Sequence, residues 1–311
     1  MSMKLIRGVV CLTALCWMLF VAVDARAIPV SHKYVTVNGI RIFYREAGDP
    51  KKPTILLLHG FPSSSYMYAE LIPLLSNHFH LLAPDYPGMG YSDAPSPDKF
   101  TPTFEGLAGV IAEFMEQLEE KRFIVYMQDF GGPVGMRLAV KHPGWIAGMI
   151  FQNTPVSLDG WEPTRLKAAQ ADAGPVTAEK RAEAESHANI SRDIFLHQHG
   201  AHDPEGLNPD SWAVDAYALG IPEDKRIMAD LLLDIPSNIA QYPTWQSYLQ
   251  SHSPRTLIVW GKGDPIFVPA GAETIRRLVP NAEIHFYDSG HFALEEDCVD
   301  IAQQIIRVFA K

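Results

Sequence analysis

Cysteine is scarce, with three in 311 residues, at 11, 16 and 298. So few thiols exclude a disulfide scaffold. Clustered basic charge is missing too: no Lys/Arg run exceeds a pair, and the formal net charge is -10. Neutralising phosphates requires grouped cations, so nucleic acid is not the expected partner. The same balance weighs against an anionic membrane surface. Internal repeats and low-complexity tracts are absent, which excludes solenoids and arrays. What is present is ordinary for a globular protein, 47% hydrophobic and 20% charged residues. That composition rules out a disordered chain, a fibre and a coiled coil. The length suits one large or two small domains.

The N-terminus has its own pattern. Lys4 and Arg7 precede a run of 15 apolar or near-apolar residues from Val9 to Val23, followed by Ala25-Arg26-Ala27. A positive start, an apolar stretch too short for a comfortable membrane span, and small residues at the cleavage positions read as a secretory signal. The expectation is a signal peptide over residues 1–27, cleaved after Ala27, and a periplasmic or secreted mature chain without stable membrane insertion. The alternative is an uncleaved anchor. Cys298 would be the only cysteine after cleavage, so stability would rest on the core.

Further along, Tyr34–Val37 and Ile40–Tyr44 flank Asn38-Gly39, a β-hairpin with a type I′ turn. Thr54–Leu58, Phe79–Ala83, Phe123–Met127, Ala147–Phe151, Thr256–Trp260 and Glu283–Tyr287 read as strands. Most are unalternating apolar runs, as suits strands covered on both faces of a parallel sheet. Between them, Phe104–Leu118 carries apolar residues at helical spacing behind Thr103 as N-cap. Helices are also expected over Pro133–Lys141 and Val299–Phe309. Alternating strands and helices predict the α/β class, with a mostly parallel, doubly wound sheet. Residues 154–254 break the alternation and are read as a helical cap inserted between two strands. The core is then 28–153 with 255–311.

Ligands of such sheets bind at the carboxyl ends of the strands. Asp129, Asp264 and His291 each follow a strand there, in the chain order nucleophile, acid, histidine. Gln128-Asp129-Phe130-Gly131-Gly132 joins a buried strand to a glycine-rich helix start. A sharp turn of this kind projects its central side chain above the sheet, and the helix N-terminus favours a carboxylate.

These segments, with His59-Gly60-Phe61-Pro62, the stretch Asp85-Tyr86-Pro87-Gly88-Met89-Gly90-Tyr91-Ser92-Asp93, Trp260 to Asp264, and Gly290-His291, carry a resemblance. From Val35 to Phe309 the chain resembles an α/β-hydrolase of the haloalkane dehalogenase and epoxide hydrolase group. The likeness is strong in the sheet and weak in the cap. Met127 departs from the small residue expected at the first elbow position.

The elbow residue decides the reaction class. A carboxylate attacking an ester carbonyl gives a reactive anhydride, but at a saturated carbon it gives an ordinary alkyl ester. The resemblance therefore implies covalent catalysis by Asp129 on a small organic substrate. His291 would activate water, and Asp264 would hold the imidazole. The backbone N–H groups of Phe61 and Phe130 would form the oxyanion hole. Asn153 fills a place where some relatives carry the acid, but it is neutral.

A departing halide needs N–H donors. Phe61 and Phe130 stand where the family usually places Asn and Trp, leaving the cap residues Trp161, Trp212 and Trp245. A fluoroacetate-type site needs Arg beside the nucleophile, and Phe130–Val134 has none. An epoxide needs an acid, usually Tyr, and Tyr217, Tyr242 and Tyr248 are available. Pro236-Ser237-Asn238-Ile239 looks more like the dehalogenase lid. The balance favours an epoxide hydrolase slightly, with haloalkane dehalogenase as the alternative. Two other classes stay open: a carboxylesterase using Ser63, Ser64 or Ser65, and a non-catalytic binding protein of the same fold. No cofactor or metal is expected. His187, His197, His199 and His202 are read as surface loop residues, and Asn189-Ile190-Ser191 as a glycosylation sequon of little weight.

Overall fold

A computed structural model describes residues 29–310, so the signal-peptide reading of residues 1–27 lies outside the described residues. Eight strands form one sheet: β1 (Ser31–Val37), β2 (Ile40–Ala47), β3 (Thr54–Leu58), β4 (His80–Pro84), β5 (Phe123–Gln128), β6 (Ile146–Gln152), β7 (Thr256–Gly261) and β8 (Glu283–Tyr287). Their order is β1-β2-β4-β3-β5-β6-β7-β8. The first two pair antiparallel, β2 meets β4 antiparallel, and every later pairing is parallel. Asn38 and Gly39 have φ of 49° and 81°, as the type I′ hairpin turn demands.

The helices are α1 (Leu71–Leu75), α2 (Phe104–Gln117), α3 (Gly131–Lys141), α4 (Pro163–Ala171), α5 (Ala178–His187), α6 (Ile190–Gln198), α7 (Asp210–Leu219), α8 (Pro222–Leu233), α9 (Ile235–His252), α10 (Ala270–Leu278) and α11 (Leu294–Phe309). One sheet face is covered by α1 and α11, which bury Leu71, Ile72, Leu75, Ile301 and Ile305 against Ile55, Leu57 and Tyr126. The other is covered by α2, α3 and α10 over Leu56, Leu58, Val125 and Ile258. Each central strand is thus covered on both sides, and its apolar runs need no alternation. Thr103 caps α2 by accepting the Gly106 N–H at 3.0 Å. Helices α4 to α9 fill the chain between β6 and β7.

Cys298 is the only cysteine among the described residues and is buried on α11. This helix begins at Leu294, five positions before the expected Val299, and Asp297 (φ -113°) kinks its start. No helix among the described residues is long and apolar enough to cross a membrane.

Candidate active site

Because β3, β5, β6, β7 and β8 run parallel, the residues after their carboxyl ends stand in a row. Asp129 follows β5 with φ of 47°. Left-handed backbone is tolerated by Asp more readily than by bulkier residues. The tight turn depends on missing side chains. A Cβ on Gly131 would collide with the Leu58 carbonyl, one on Gly132 with Thr154, and one on Gly135 with the Met127 sulfur at 2.5 Å. The last of these resolves the Met127 departure, since its side chain uses the room Gly135 leaves.

Asp129 Oδ1 accepts the Phe61 N–H at 2.7 Å, and the Phe130 N–H also favours its charged form. Its other oxygen, Oδ2, lies 3.8 Å from Nε2 of His291. The His291 ring is fully buried and bonds through Nδ1 to Asp264 Oδ2 at 2.8 Å. Asp264 Oδ1 accepts the N–H groups of Ile266 and Phe267 at 2.7 and 3.1 Å. Asn153, with φ of 43°, gives its amide N–H to Asp264 Oδ2 at 2.8 Å. It also bonds both to and from Gly261. With Nδ1–H committed to Asp264, the lone pair on Nε2 faces Asp129 and the Gln128 amide nitrogen, 3.0 Å away.

Burial raises the Asp129 carboxyl above its ordinary range, opposed by His291 and the Phe61 and Phe130 N–H groups. Burial alone would lower the His291 pKa. The charge and hydrogen bond of Asp264, and then the charge of Asp129, outweigh it and raise the net value. His59 is different. Burial pulls it down to about 4, keeping it neutral. Its Nε2 accepts the Tyr86 N–H while Nδ1 bonds the Gly60 carbonyl, which fixes the turn before Phe61.

A cavity of about 210 Å³ opens above Asp129, roofed by the helices between β6 and β7. Asp129 lines its floor beside Phe61 and Phe130, with His291 and then Asp264 in line behind the carboxylate. Such a set can carry out covalent attack and then proton abstraction from water.

The described fold agrees with a comparison of sequences, in which residues 53–297 match the alpha/beta hydrolase fold family. The chain belongs to that family.

Among relatives of this hydrolase, an uncharacterized hydrolase of Saccharomyces cerevisiae is 38% identical over 288 residues, covering 90% of this chain and 97% of its own. Haloalkane dehalogenase 2 of Mycobacterium tuberculosis is 35% identical over 131 residues, 42% of this chain and 44% of that enzyme. The haloalkane dehalogenase DbeA from Bradyrhizobium elkani superposes with a TM-score of 0.75 at 19% identity, over 90% of this chain and 99% of its own. The epoxide hydrolase CorEH gives 0.74 at 19%, over 91% and 99%. At such identities the solved structures speak for the fold.

The cap candidates separate cleanly in this hydrolase. Tyr242 and Trp161 line the cavity, and Trp161 Nε1–H donates to the Tyr242 hydroxyl at 2.7 Å. Tyr217 does not line it, because its side chain is 61% exposed on α7. Tyr248 stacks on His252 at 4.4 Å, and Trp245 is buried under the Arg137 guanidinium. The structure therefore withdraws Tyr217, Tyr248 and Trp245 as groups facing a substrate. Trp212 sits beside His197 instead. Ser63, Ser64 and Ser65 are buried outside the cavity lining, with Ser65 bonded to Arg45.

Sequence reasoning missed two further lining residues, Arg165 and Arg192, and misplaced a third, His187, which ends α5 and lines the cavity instead of lying in a surface loop. Arg192 feels the Asp129 charge, and its Nε has no protein partner. Nothing in their spacing signals this, because they converge only through the folding of α4, α5 and α6. A second correction concerns His197, which is a buried residue of α6 and not a surface loop residue. Asn189 serves as the N-cap of α6, accepting the Arg192 N–H at 3.0 Å.

Proposed function

We propose that this hydrolase opens a small epoxide through an alkyl ester on Asp129, which water activated by His291 then cleaves. The observation that carries the reading is the Tyr242 hydroxyl, which shares the cavity with Asp129 while its oxygen receives the Trp161 N–H. That arrangement leaves the phenolic proton free to donate.

In the first step an Asp129 oxygen bonds a ring carbon and the ring C–O bond breaks. The departing oxygen takes the Tyr242 proton. Burial raises the Tyr242 pKa, so the phenol keeps its proton until a strongly basic oxygen develops, and the Trp161 bond favours the phenolate that results. The spent tyrosinate regains its proton from solvent. In the second step His291 Nε2 takes a proton from water as that water attacks the ester carbonyl. The carbonyl oxygen would rest on the Phe61 and Phe130 N–H groups. The tetrahedral intermediate collapses as His291 returns its proton to the departing alkoxide, the diol leaves, and the carboxyl gives its remaining proton to solvent, which restores the carboxylate.

Haloalkane dehalogenation is the second reading. Trp161 favours it, because its N–H could turn from Tyr242 towards a departing halide. Relatives named as haloalkane dehalogenases support it as well.

The test uses His291→Gln with terminal epoxides and bromoalkanes, followed by peptide mass spectrometry. An epoxide adds its whole mass to Asp129, whereas a bromoalkane adds its mass less HBr. An epoxide adduct on the Asp129 peptide is expected. An unmodified Asp129 across both panels, or an adduct on another residue, would refute the covalent reading. Adducts from bromoalkanes alone would favour the second.

A further inference from the structure

A second polar cluster lies behind the His291 loop, apart from the substrate cavity. Asp193 and His197 stand one turn apart on α6, and Asp215 comes from the adjacent α7. All three are at least 97% buried: their exposures are 1%, 3% and 1%. Nε2 of His197 is 3.5 Å from Asp193 Oδ1 and 3.6 Å from Asp215 Oδ2. No protein group makes a full hydrogen bond to either oxygen of Asp193, to either oxygen of Asp215, or to Nε2 of His197. The facing atoms of the three side chains all lie within 4.8 Å of one another.

Orphaned carboxylate oxygens in a protein interior carry a large desolvation penalty unless something positive meets them. The local charge does not close by itself. Glu295, at the start of α11, bonds His197 Nδ1 at 2.7 Å. Three carboxylates then surround a single imidazole, an excess of negative charge even when that ring is protonated.

We propose that Asp193, His197 and Asp215 bind a divalent first-row transition metal of the Zn²⁺ type. The spacing fits. Bonds of about 2.1 Å in tetrahedral geometry separate neighbouring ligand atoms by roughly 3.4 Å, close to the 3.5 and 3.6 Å found here. Glu295 completes the pattern of a carboxylate holding the far nitrogen of a metal-binding histidine. It fixes the tautomer with Nδ1–H donated and Nε2 free. Nitrogen and oxygen donors without sulfur suit Zn²⁺, Co²⁺ or Mn²⁺, and a histidine ligand disfavours Mg²⁺ and Ca²⁺. A cleft bordered by Ser63, His197, Asn208 and Glu295 supplies an entry path.

The position gives the ion a job. Its ligands come from two helices of the insertion, while Glu295 belongs to the core. The His197 ring also stacks on Phe292 at 4.0 Å, and Phe292 meets His291 edge-on at 5.0 Å. A bound ion would pin the insertion to the loop that carries His291.

The full chain, stripped with a chelator, is titrated calorimetrically with Zn²⁺, Co²⁺, Mn²⁺, Mg²⁺ and Ca²⁺, and its thermal midpoint is followed. One equivalent of Zn²⁺ or Co²⁺ is expected, with a rise in Tm by mass action and visible Co²⁺ absorption of tetrahedral intensity. Mg²⁺ and Ca²⁺ should bind far more weakly. His197→Gln and Asp215→Asn should lose at least a hundredfold in affinity. Glu295→Gln should lose about 10–100-fold and gives a graded test should the ligand variants fail to fold. Asp129→Asn and His202→Gln should bind as the unaltered chain does. Failure of the full chain to bind any of the metals would overturn the proposal and leave the cluster as proton-sharing acids. Unchanged affinity in Glu295→Gln and His197→Gln would overturn it as well. None of these readouts depends on the reaction proposed for Asp129.

Discussion

Asn153 and His291 converge on one oxygen: Oδ2 of Asp264 lies 2.8 Å from the Asn153 amide and 2.8 Å from the His291 ring. The other oxygen is held by two backbone N–H groups. Asp264 therefore has no freedom to rotate, and the imidazole it holds has one tautomer and one orientation. Asn153 removes the alternative in which Asp264 turns away from the histidine.

Asn153→Ala should weaken this arrangement at a distance from the substrate. A hydrogen bond to a charged group is worth about 1.5–3 kcal/mol. Decay of the ester on Asp129, followed in a single turnover, should slow at least tenfold, while formation of the ester changes little. Equal slowing of both steps would deny Asn153 a role through His291.

The pH dependence has a definite sign. His291 must be neutral to accept a proton, and its pKa is raised above 6.5. Ester decay should therefore be full at alkaline pH and fall away as pH drops, with its midpoint above 6.5. Measuring single-turnover ester decay across pH in the unaltered chain, with His291 present, checks this, and a midpoint below that value would contradict the charge environment described.

Tyr242→Phe separates the two leaving-group chemistries. General acid assistance contributes about 10²–10⁴-fold, so epoxide turnover should fall by that order. Any ester formation from a bromoalkane, which needs no proton, should stay within several-fold. Trp161→Phe should reduce epoxide turnover less than Tyr242→Phe does. A bromide-releasing activity abolished by Trp161→Phe alone would shift the assignment to the halide reading.

Gly131→Ala tests the elbow itself. The new methyl would meet the Leu58 carbonyl in the adjacent strand. Overpacking of this kind costs about 1–3 kcal/mol, visible as a lower denaturation midpoint. Because the strain falls beside Asp129, activity should drop further than stability alone explains. A variant as stable as the unaltered chain would show that helix and strand can separate here.

Much of this was legible in the residues, for physical reasons. Thr54–Leu58 and Glu283–Tyr287 match β3 and β8 in the structure, because turn chemistry brackets both runs. Asp129, Asp264 and His291 stood out because each follows a strand, and strand ends are where a parallel sheet collects its functional groups. The insertion was opaque. Helices such as α4 and α7 carry mixed faces, so their orientation comes from tertiary packing more than from any stripe in the sequence. Tyr217 and Tyr242 look alike as letters, yet one meets solvent and the other the cavity. His197 was misread for the same reason. Its burial is made by α7 and by the start of α11, almost a hundred positions away.

Cys298 bears on what the protein can survive. The epoxides and haloalkanes proposed as substrates alkylate thiolates readily, and a catalyst that gathered them would put its own sulfur at risk. Here burial pushes the thiol up to about 12, so it stays protonated at physiological pH, and the thiolate is the attacking form. The sulfur also sits beneath α11 on the sheet face opposite α2 and α3. Self-poisoning at this residue is thereby suppressed, and repeated exposure to electrophiles should leave Cys298 unmodified while Asp129 turns over.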